Sequence, residues 1–215
     1  YNNNMYVGYM YTSGEVHGTN ISSIIKTNVD KFYTDKLASY VSKLDNNVGF
    51  CGDRSSLNLQ SGVGTESVIT YNSGYLRVEE STPTLICENS SDYYTSSSAS
   101  SGNQKLDYSV GLITADEAML AGHAGGIFDG NHNNSKSNNK SYLATGNPFW
   151  TMTPAGGYNP FGIAAWEPYV FNIWNNGNFD ERCVFDNRGF RPVINIRSDV
   201  TITGSGTMND PYVVN

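Results

Sequence analysis

The sequence is poor in charge, and basic residues are the scarcer kind. Only 15% of its 215 residues are charged, with 13 Lys and Arg against 20 Asp and Glu, and the formal net charge is -7. Nucleic acids and anionic membrane surfaces attract proteins through concentrated Lys and Arg. We therefore expect no nucleic acid and no anionic membrane surface among the partners of this chain.

Long apolar runs are also missing. No stretch of about 18 apolar residues occurs, so the sequence predicts no direct membrane insertion of this fragment. No leader of the signal-peptide type is visible, and because the chain starts with Tyr1 we expect an upstream anchor segment to precede it. The remaining residues are rich in Asn, Ser, Thr, Gly and Tyr, which is typical of secreted or surface-exposed β-rich proteins.

Cysteine is scarce. The three cysteines, Cys51, Cys87 and Cys183, include no C-x-x-C pair. An odd number in a chain of extracellular type favours one disulfide and one remaining thiol. Because Cys51 and Cys87 each end a short apolar run, we predict a Cys51–Cys87 disulfide; free buried thiols are the alternative.

Apolar periodicity predicts two helices. Between Ile21 and Leu44 apolar residues recur at steps of three and four, which indicates an amphipathic helix with an interruption near Thr34-Asp35. Thr114 followed by Glu117 has the form of a capping box at the start of a second, short helix. Gly122 suits the left-handed end of that helix.

Short apolar runs separated by turn residues predict small β layers. Residues 5–12, 68–71, 75–78 and 84–87 are each interpreted as a strand, and Asn72-Ser73-Gly74 as a turn between two of them. Residues 199–203 and 211–214 flank a Gly-Ser-Gly turn, which predicts a hairpin at the C-terminus.

The stretch from Trp150 to Ile196 contains all three tryptophans and ends in an apolar strand. Its mixture of aromatics, amides and a few charges makes a poor core, because the polar heads would need partners. The same mixture makes a good recognition surface, since rigid aromatics provide contact area and short polar groups adapt their hydrogen bonds. The predicted ligand-binding residues are Met152, Tyr158, Asn159, Phe161, Tyr169, Phe171, Trp174, Asn176, Asn178, Asp180, Arg182, Phe185, Asp186 and Asn187.

Alternation along residues 178–185 would divide these side chains between two faces of a strand. Which face points outwards is left open by the sequence. Asp180 and Glu181 would lie on opposite faces, so they do not form an acid/base pair.

No pattern for catalysis stands out elsewhere. His123, Asp129 and His132 share one polar loop, but their spacing fits no common zinc pattern. A G-x-S-x-G nucleophile motif is absent. We expect no enzyme activity, no cofactor and no metal.

At GLITADEAMLAGHAGG (111–126) the sequence resembles the helix motif of formylglycine-generating-enzyme-like domains, which have the C-type lectin fold. In those domains a strand enters a capped helix that ends in a glycine pair, and a Trp-rich segment closes on a G-[FV]-R-P-V strand. The whole arrangement also resembles bacterial surface proteins in which this domain follows a type IV pilin-like helix. The segments shared with those proteins are FCGDRS (50–55), GLITADEA (111–118), WTMTP (150–154), GFRPVIN (189–195) and NDPYVV (209–214).

This resemblance implies an α+β, C-type lectin-like fold for residues 1–196. It would combine an N-terminal amphipathic helix, a short capped helix and small twisted antiparallel sheets, with residues 197–215 as a β-hairpin on the same domain. Domains of this branch serve as variable proteins of diversity-generating retroelements, which randomise adenine-containing codons. The resemblance therefore implies a variable segment at about 150–188, with the randomised face between Met152 and Asn187.

The implied function is a surface-displayed adhesin or receptor-binding module on a bacterial cell. Its partner would be a protein or glycan on another cell or on a phage. A structural subunit of a pilin-like surface filament, with other pilin subunits as partners, is the alternative. Under the first hypothesis Cys183 is a chance product of diversification.

The sequence departs from two relatives of this fold. The formylglycine-generating enzymes need a pair of nearby cysteines in the C-terminal region, where this chain has Cys183 alone, so an oxidoreductase is the weakest alternative. Calcium-binding lectins use Glu-Pro-Asn and Trp-Asn-Asp, where this chain has Glu167-Pro168-Tyr169 and Trp174-Asn175-Asn176. Loss of a carboxylate disfavours a site for a hard cation such as Ca²⁺.

Overall fold

The fold is a mixed α+β arrangement of short helices and small sheets. The computed structural model describes residues 23–53, 55, 57, 70–88, 92–96, 106–123, 125, 141, 143–158, 167–183, 186–207 and 209–215. Its α-helices are α1 (Ile24–Phe32), α2 (Ser73–Glu80) and α3 (Ala115–Leu120). Its strands are β1 (Phe50–Cys51), β2 (Thr70–Tyr71), β3 (Tyr93–Tyr94), β4 (Gly111–Leu112), β5 (Phe149–Tyr158), β6 (Glu167–Ile173), β7 (Phe179–Cys183), β8 (Gly189–Phe190), β9 (Pro192–Val193), β10 (Ile202–Thr203) and β11 (Val213–Val214).

The first helix is interrupted where the sequence predicts it. After α1 the chain continues as a π-helical turn, Tyr33–Leu37, and then as a 3-10 helix, Ala38–Lys43. Each change of helical period rotates the following side chains about the axis. For this reason the predicted apolar face is not continued beyond α1, and Tyr40 and Val41 are exposed.

The second helix corrects the sequence prediction. Residues 75–78, interpreted as a strand, lie in α2, and Asn72 to Gly74 start that helix instead of forming a hairpin turn. Gly74 and Val78, one helical turn apart, are the buried positions of α2. A Cβ on Gly74 would meet Cγ2 of Thr153 at 2.4 Å, so glycine allows the helix to lie close against β5.

Residues 84–87 are not a strand either. Leu85 and Ile86 are 71% and 75% exposed, and the segment has no strand partner. It is held by the predicted disulfide between Cys51 and Cys87, which the structure confirms, and by a hydrogen bond from the Thr84 amide to Asp116 Oδ1 at 3.1 Å. The disulfide and this hydrogen bond hold the segment in place, instead of the strand pairing that its apolar residues led us to expect.

The third helix and the terminal hairpin follow the predictions. Thr114 and Glu117 form the capping box, with the Glu117 amide 3.0 Å from Thr114 Oγ1 and the Thr114 amide 2.7 Å from Glu117 Oε2. Gly122 then adopts a φ of +98° after the helix. At the C-terminus β10 pairs with β11 in antiparallel orientation. The predicted strand at residues 5–12 lies outside the described residues.

The largest sheet has five strands and is organised around β5. Its order is β2-β5-β6-β7, and β8 pairs with the start of β5 in parallel orientation. The other pairs of this sheet are antiparallel, and the β5–β6 register shifts between Trp150 and Gly156. Strand β9, which follows β8, pairs with β4 instead. The segment from 149 to 193 is thus tied to α3 through β4.

Two hydrophobic clusters hold the fold together, and residues of this sheet contribute to both. The first cluster includes Val29 of α1, Trp150 and Val170; the second includes Phe149 and Phe171. Alternation along β5 and β6 sends successive side chains to different clusters, so both faces of the central strands are covered. None of the helices in the described ranges is long and apolar enough to cross a membrane.

Candidate functional site

The β6–β7 hairpin ends in a tight turn that carries Trp174. The Trp174 amide donates to the Asn178 carbonyl oxygen at 2.7 Å, and the Gly177 amide donates to the Trp174 carbonyl oxygen at 2.8 Å. Gly177 has a φ of +84°, a backbone conformation that glycine adopts without strain. The Asn178 amide is bonded to Oδ1 of Asn176 at 3.0 Å. Asn175 and Asn176 form the exposed tip.

Two arginines lie against the indole ring of Trp174. The guanidinium carbon of Arg188 is 5.1 Å from the centre of the Trp174 ring and 5.9 Å from that of Trp150. The guanidinium carbon of Arg182 is 5.9 Å from the Trp174 ring. Cation–π contacts of this type contribute about 0.5–2 kcal/mol each, depending on solvent exposure. We call the four residues, Trp150, Arg188, Trp174 and Arg182, the tryptophan–arginine stack.

Each arginine of the stack has a carboxylate beside it. Arg182 Nε is 2.8 Å from Asp180 Oδ2, and Arg188 donates from a terminal nitrogen to Asp186 Oδ2 at 3.0 Å. The Arg182 side chain is 31% exposed and that of Asp186 34%. The stack and these two carboxylates together therefore carry little net charge, and they present an aromatic ring, hydrogen-bond donors and an acceptor.

The opposite face of β7 carries a half-buried acid. Glu181 pairs across the ladder with Phe171, which is fully buried. Burial, with a further contribution from Asp180, raises the pKa of Glu181 to about 7, against a smaller lowering by Arg182. Cys183 follows on the same face as a half-buried cysteine outside the disulfide. Asp180 and Glu181 thus lie on opposite faces, as strand geometry predicts.

The predicted ligand-binding residues fall into groups with different exposure. Met152 and Phe171 belong to the two hydrophobic clusters, which removes them from a contact face in this structure. Asn178 and Asp180 are also buried. The Asn178 carbonyl oxygen accepts a hydrogen bond in the hairpin turn, and the Asp180 carboxylate pairs with Arg182. The predicted residues with exposed or half-buried side chains are Tyr169, Trp174, Asn176, Arg182, Asp186 and Asn187.

Four predicted residues are not described at the level of their side chains. Asn159, Phe161 and Phe185 lie outside the described residues, and Tyr158 is described only by its backbone at the end of β5. Their predicted role in ligand binding stays a prediction.

Sequence reasoning missed Arg188. It immediately precedes the G-F-R-P-V segment, and its contacts are with Trp150 and Trp174, which are distant in sequence. An arginine next to a strand carries no local signal that would reveal such contacts. Its place at the end of the implied variable segment, about 150–188, was the available clue.

A pocket of about 210 Å³ lies elsewhere, between β1, α2 and α3. Its charged wall is an ion-pair network in which Arg77 binds Asp116 at 2.7 Å and Asp53 at 2.8 Å. Burial alone would raise the pKa of Asp53, but hydrogen bonds from Ser73 and Ser55 and the Arg77 charge hold it below its usual value. These groups satisfy one another, so we interpret the network as structural.

The histidine considered as a metal ligand has a different role. His123 is buried and its Nδ1 is 2.9 Å from the carbonyl oxygen of Gly177, while Asp129 and His132 lie outside the described residues. Among the residues that the structure describes, no group of three or more His, Cys, Asp or Glu side chains is arranged to hold a metal ion.

Known proteins provide no further guide. No protein-family model, no curated protein and no solved structure matches this chain.

Proposed function

We propose that the chain is a surface-displayed ligand-binding module without catalysis, whose contact face is centred on the tryptophan–arginine stack. One observation carries the proposal: half-buried Trp174, whose ring is contacted by the guanidinium groups of Arg182 and Arg188, adjoins the exposed hairpin tip. Rigid aromatics surrounded by adaptable polar groups are the usual composition of recognition surfaces. The partner would be a protein or glycan on another cell or on a phage.

The finer proposal is a C-type lectin-like variable protein of a diversity-generating retroelement, exposed outside a bacterial cell. It rests on the resemblance of the sequence segments. Two contacts support it: β5, which contains the W-T-M-T-P segment, pairs with β8 of the G-F-R-P-V segment, and β9 of that segment pairs with β4. The segments that carry the resemblance are distant in the sequence, and in the structure their strands pair with one another.

Deep sequencing of this gene across one bacterial or phage population tests the proposal. Substitutions should crowd at adenines in codons 152–187, while codons 1–149 and 189–215 stay constant. The burial pattern sharpens the expectation, because only accessible positions can vary without loss of folding. The exposed or half-buried positions expected to vary are Asn175, Asn176, Arg182, Asp186 and Asn187. The buried positions expected to stay constant are Val170, Phe171, Ile173 and Phe179.

Sparse substitutions spread evenly over the gene would contradict diversification. A fixed adhesin for a single ligand, or a structural subunit, would then be the better interpretation. Substitutions that crowd into codons 152–187 but change buried and exposed positions alike would contradict the contact face as we define it.

A second candidate function is that of a filament subunit, and exposed apolar side chains on the terminal hairpin favour it. Tyr212 is 65% exposed, Val213 52% and Ile202 47%, and Ile202 pairs with Val214 across the hairpin. Sedimentation of the full-length protein at increasing concentration tests this function. Association that is abolished by Tyr212→Lys and retained in Arg182→Ala would support a filament contact at the hairpin; a monomer at all concentrations would contradict it.

A further inference from the structure

His123 reaches the turn of the β6–β7 hairpin from a segment far away in the sequence. Its Nδ1 is 2.9 Å from the carbonyl oxygen of Gly177, and its side chain is almost fully buried, at 3% exposure. A carbonyl oxygen only accepts hydrogen bonds, so Nδ1 carries the proton and donates it. The geometry thus assigns the tautomer of this histidine.

The imidazole is held firmly in place. The His123 amide donates to the Ala118 carbonyl oxygen at 3.0 Å, which ties the residue to the end of α3. The ring centre lies 6.1 Å from that of Phe149 and 6.2 Å from that of Phe179, in edge-on contacts within the second hydrophobic cluster. Because the imidazole is fixed and both partners are buried, the hydrogen bond from His123 restricts the position of the Gly177 carbonyl oxygen.

The turn also depends on a bond that its own sequence supplies. The Asn178 amide is bonded to the Asn176 side chain, and Asn176 is exposed in the predicted variable segment. A substitution at Asn176 removes that bond. The bond from His123 to the Gly177 backbone does not depend on the side chains at 175 and 176.

We infer that His123 is a positioning residue for the binding face: through the Gly177 carbonyl it keeps the turn, and with it Trp174, in one conformation while the tip residues change. The significance of this role for binding rests on the proposed function. The role itself is a property of the unliganded chain and can be measured without a ligand.

Two variants separate the hydrogen bond from the packing of the ring. His123→Phe retains an aromatic ring against Phe149 and Phe179 but removes the donor. His123→Asn removes the ring but retains a donor, because the asparagine amide nitrogen lies the same number of bonds from Cα as Nδ1 of histidine. Amide hydrogen exchange, followed by NMR, reports the opening of the turn at the amides of Trp174 and Gly177. The Met152 amide, which is bonded to the Ile113 carbonyl oxygen at 2.8 Å in the central sheet, is the reference.

In His123→Phe we expect exchange at Trp174 and Gly177 to rise about tenfold relative to Met152, because a buried carbonyl is left without its donor. In His123→Asn that ratio should stay near the wild-type value. Faster turn exchange in the Asn variant but not in the Phe variant would overturn the inference in favour of ring packing. Equal acceleration of all three amides would overturn it in favour of general destabilisation.

The tip residues provide the second arm of the test. Asn176→Ala should raise exchange at Trp174 only slightly when His123 is present, and several-fold more in the His123→Phe background. If the effects of the two substitutions on Trp174 exchange were strictly additive in free energy, His123 would not keep the turn in place when tip residues change. If sequencing shows no diversification, the exchange results still stand, so the failure of one proposal is distinguishable from the failure of the other.

Discussion

Glu181 illustrates how one residue takes its chemistry from its neighbours. On the ladder it pairs with buried Phe171, and its carboxyl is therefore largely removed from water. Desolvation disfavours the charged form, and the adjacent Asp180 adds repulsion, so the pKa rises to about 7. Near neutral pH this side chain is partly protonated, one position away from Arg182 of the stack.

The raised pKa of Glu181 predicts a dependence of stability on pH. The folded state binds this proton more tightly than the unfolded state, so the stabilisation is fully present below the ordinary glutamate pKa of 4.5 and is lost as the pH rises through the folded-state pKa of about 7. Glu181→Gln should remove this loss and should be more stable than the wild type at pH 8 by roughly 2–3 kcal/mol. Urea denaturation at pH 5, 6, 7 and 8 measures the difference.

Glu80→Gln is the matched control, because Glu80 is exposed at the end of α2. Its free energy of unfolding should follow that of the wild type across the same pH range. A Glu181→Gln variant that runs parallel to the wild type would show that the carboxyl is solvated in solution.

Single residues of the predicted binding segment differ in how far the sequence reveals their surroundings. Trp174, Arg182 and Asp186 could be predicted as site residues because they lie in one stretch of aromatic and polar character. Phe171 lies in the same stretch but packs between Tyr75 and Phe179, with ring centres 6.1 and 6.0 Å away. Composition alone cannot separate the two cases, because the partner rings come from other elements.

Among the elements, α2 shows how packing overrides a local pattern. Its sequence, SGYLRVEE, has a glycine near its start and alternating apolar residues, which favour a strand. In the fold, Gly74 contacts β5 and Arg77 reaches two carboxylates, contacts that a helix provides on one side. Tertiary contacts therefore decide the conformation of these eight residues.

The close approach of α2 to β5 predicts an unusual result for Gly74→Ala. In an open helix this substitution stabilises by up to about 1 kcal/mol. Here the new Cβ would meet Thr153 Cγ2 at 2.4 Å, and the Thr153 hydroxyl is engaged by the Ala115 amide at 2.9 Å, so the side chain cannot rotate freely. We expect net destabilisation of about 1–2 kcal/mol by chemical denaturation.

Thr153→Ser supplies the matched rescue, because serine keeps the hydroxyl and lacks Cγ2. The double variant Gly74→Ala/Thr153→Ser should regain most of the stability lost by Gly74→Ala alone. Equal losses in the single and double variants would place the strain elsewhere.

Arg77 joins α2 to α3 and to the segment after β1. Replacement by methionine leaves Asp116, whose side chain is 6% exposed, and Asp53 without their cation, and we expect a loss of about 3–5 kcal/mol in unfolding free energy. Lys31→Met is the control, since the Lys31–Asp35 pair is exposed and should contribute below about 1 kcal/mol. Similar effects of both substitutions would mean that the Arg77 network is solvated.

For the whole molecule, distant segments are held together by one sheet and one covalent link. The stack combines Trp150 of β5, the β6–β7 hairpin and Arg188 before β8, and these meet because β5 pairs with both β6 and β8. The covalent link is the Cys51–Cys87 disulfide, which joins the 82–88 segment to β1 across a sequence separation of 36.

Removal of the disulfide should therefore lower global stability. In the chain-entropy description, a loop of this length stabilises by about 4 kcal/mol, so Cys51→Ser/Cys87→Ser should shift the urea midpoint strongly downwards. Cys183→Ser is the control, because Cys183 forms no disulfide and its replacement should have a much smaller effect. An unchanged midpoint in the double variant would contradict the link.

The sequence by itself determined those features that depend on neighbours along the chain. These are the interrupted first helix, the capping box at Thr114, the Cys51–Cys87 pairing and the terminal hairpin. Each follows from helical period, capping chemistry, cysteine context or turn residues, which act over a few positions.

The tertiary structure alone decided the helical state of α2, the burial of Met152 and Phe171, and the contacts of Arg188 and His123 with the hairpin. The physical reason is common to all of them. A side chain that can be accommodated in water or in a core is assigned to one of these by the elements packed against it, and those elements are far away in the sequence.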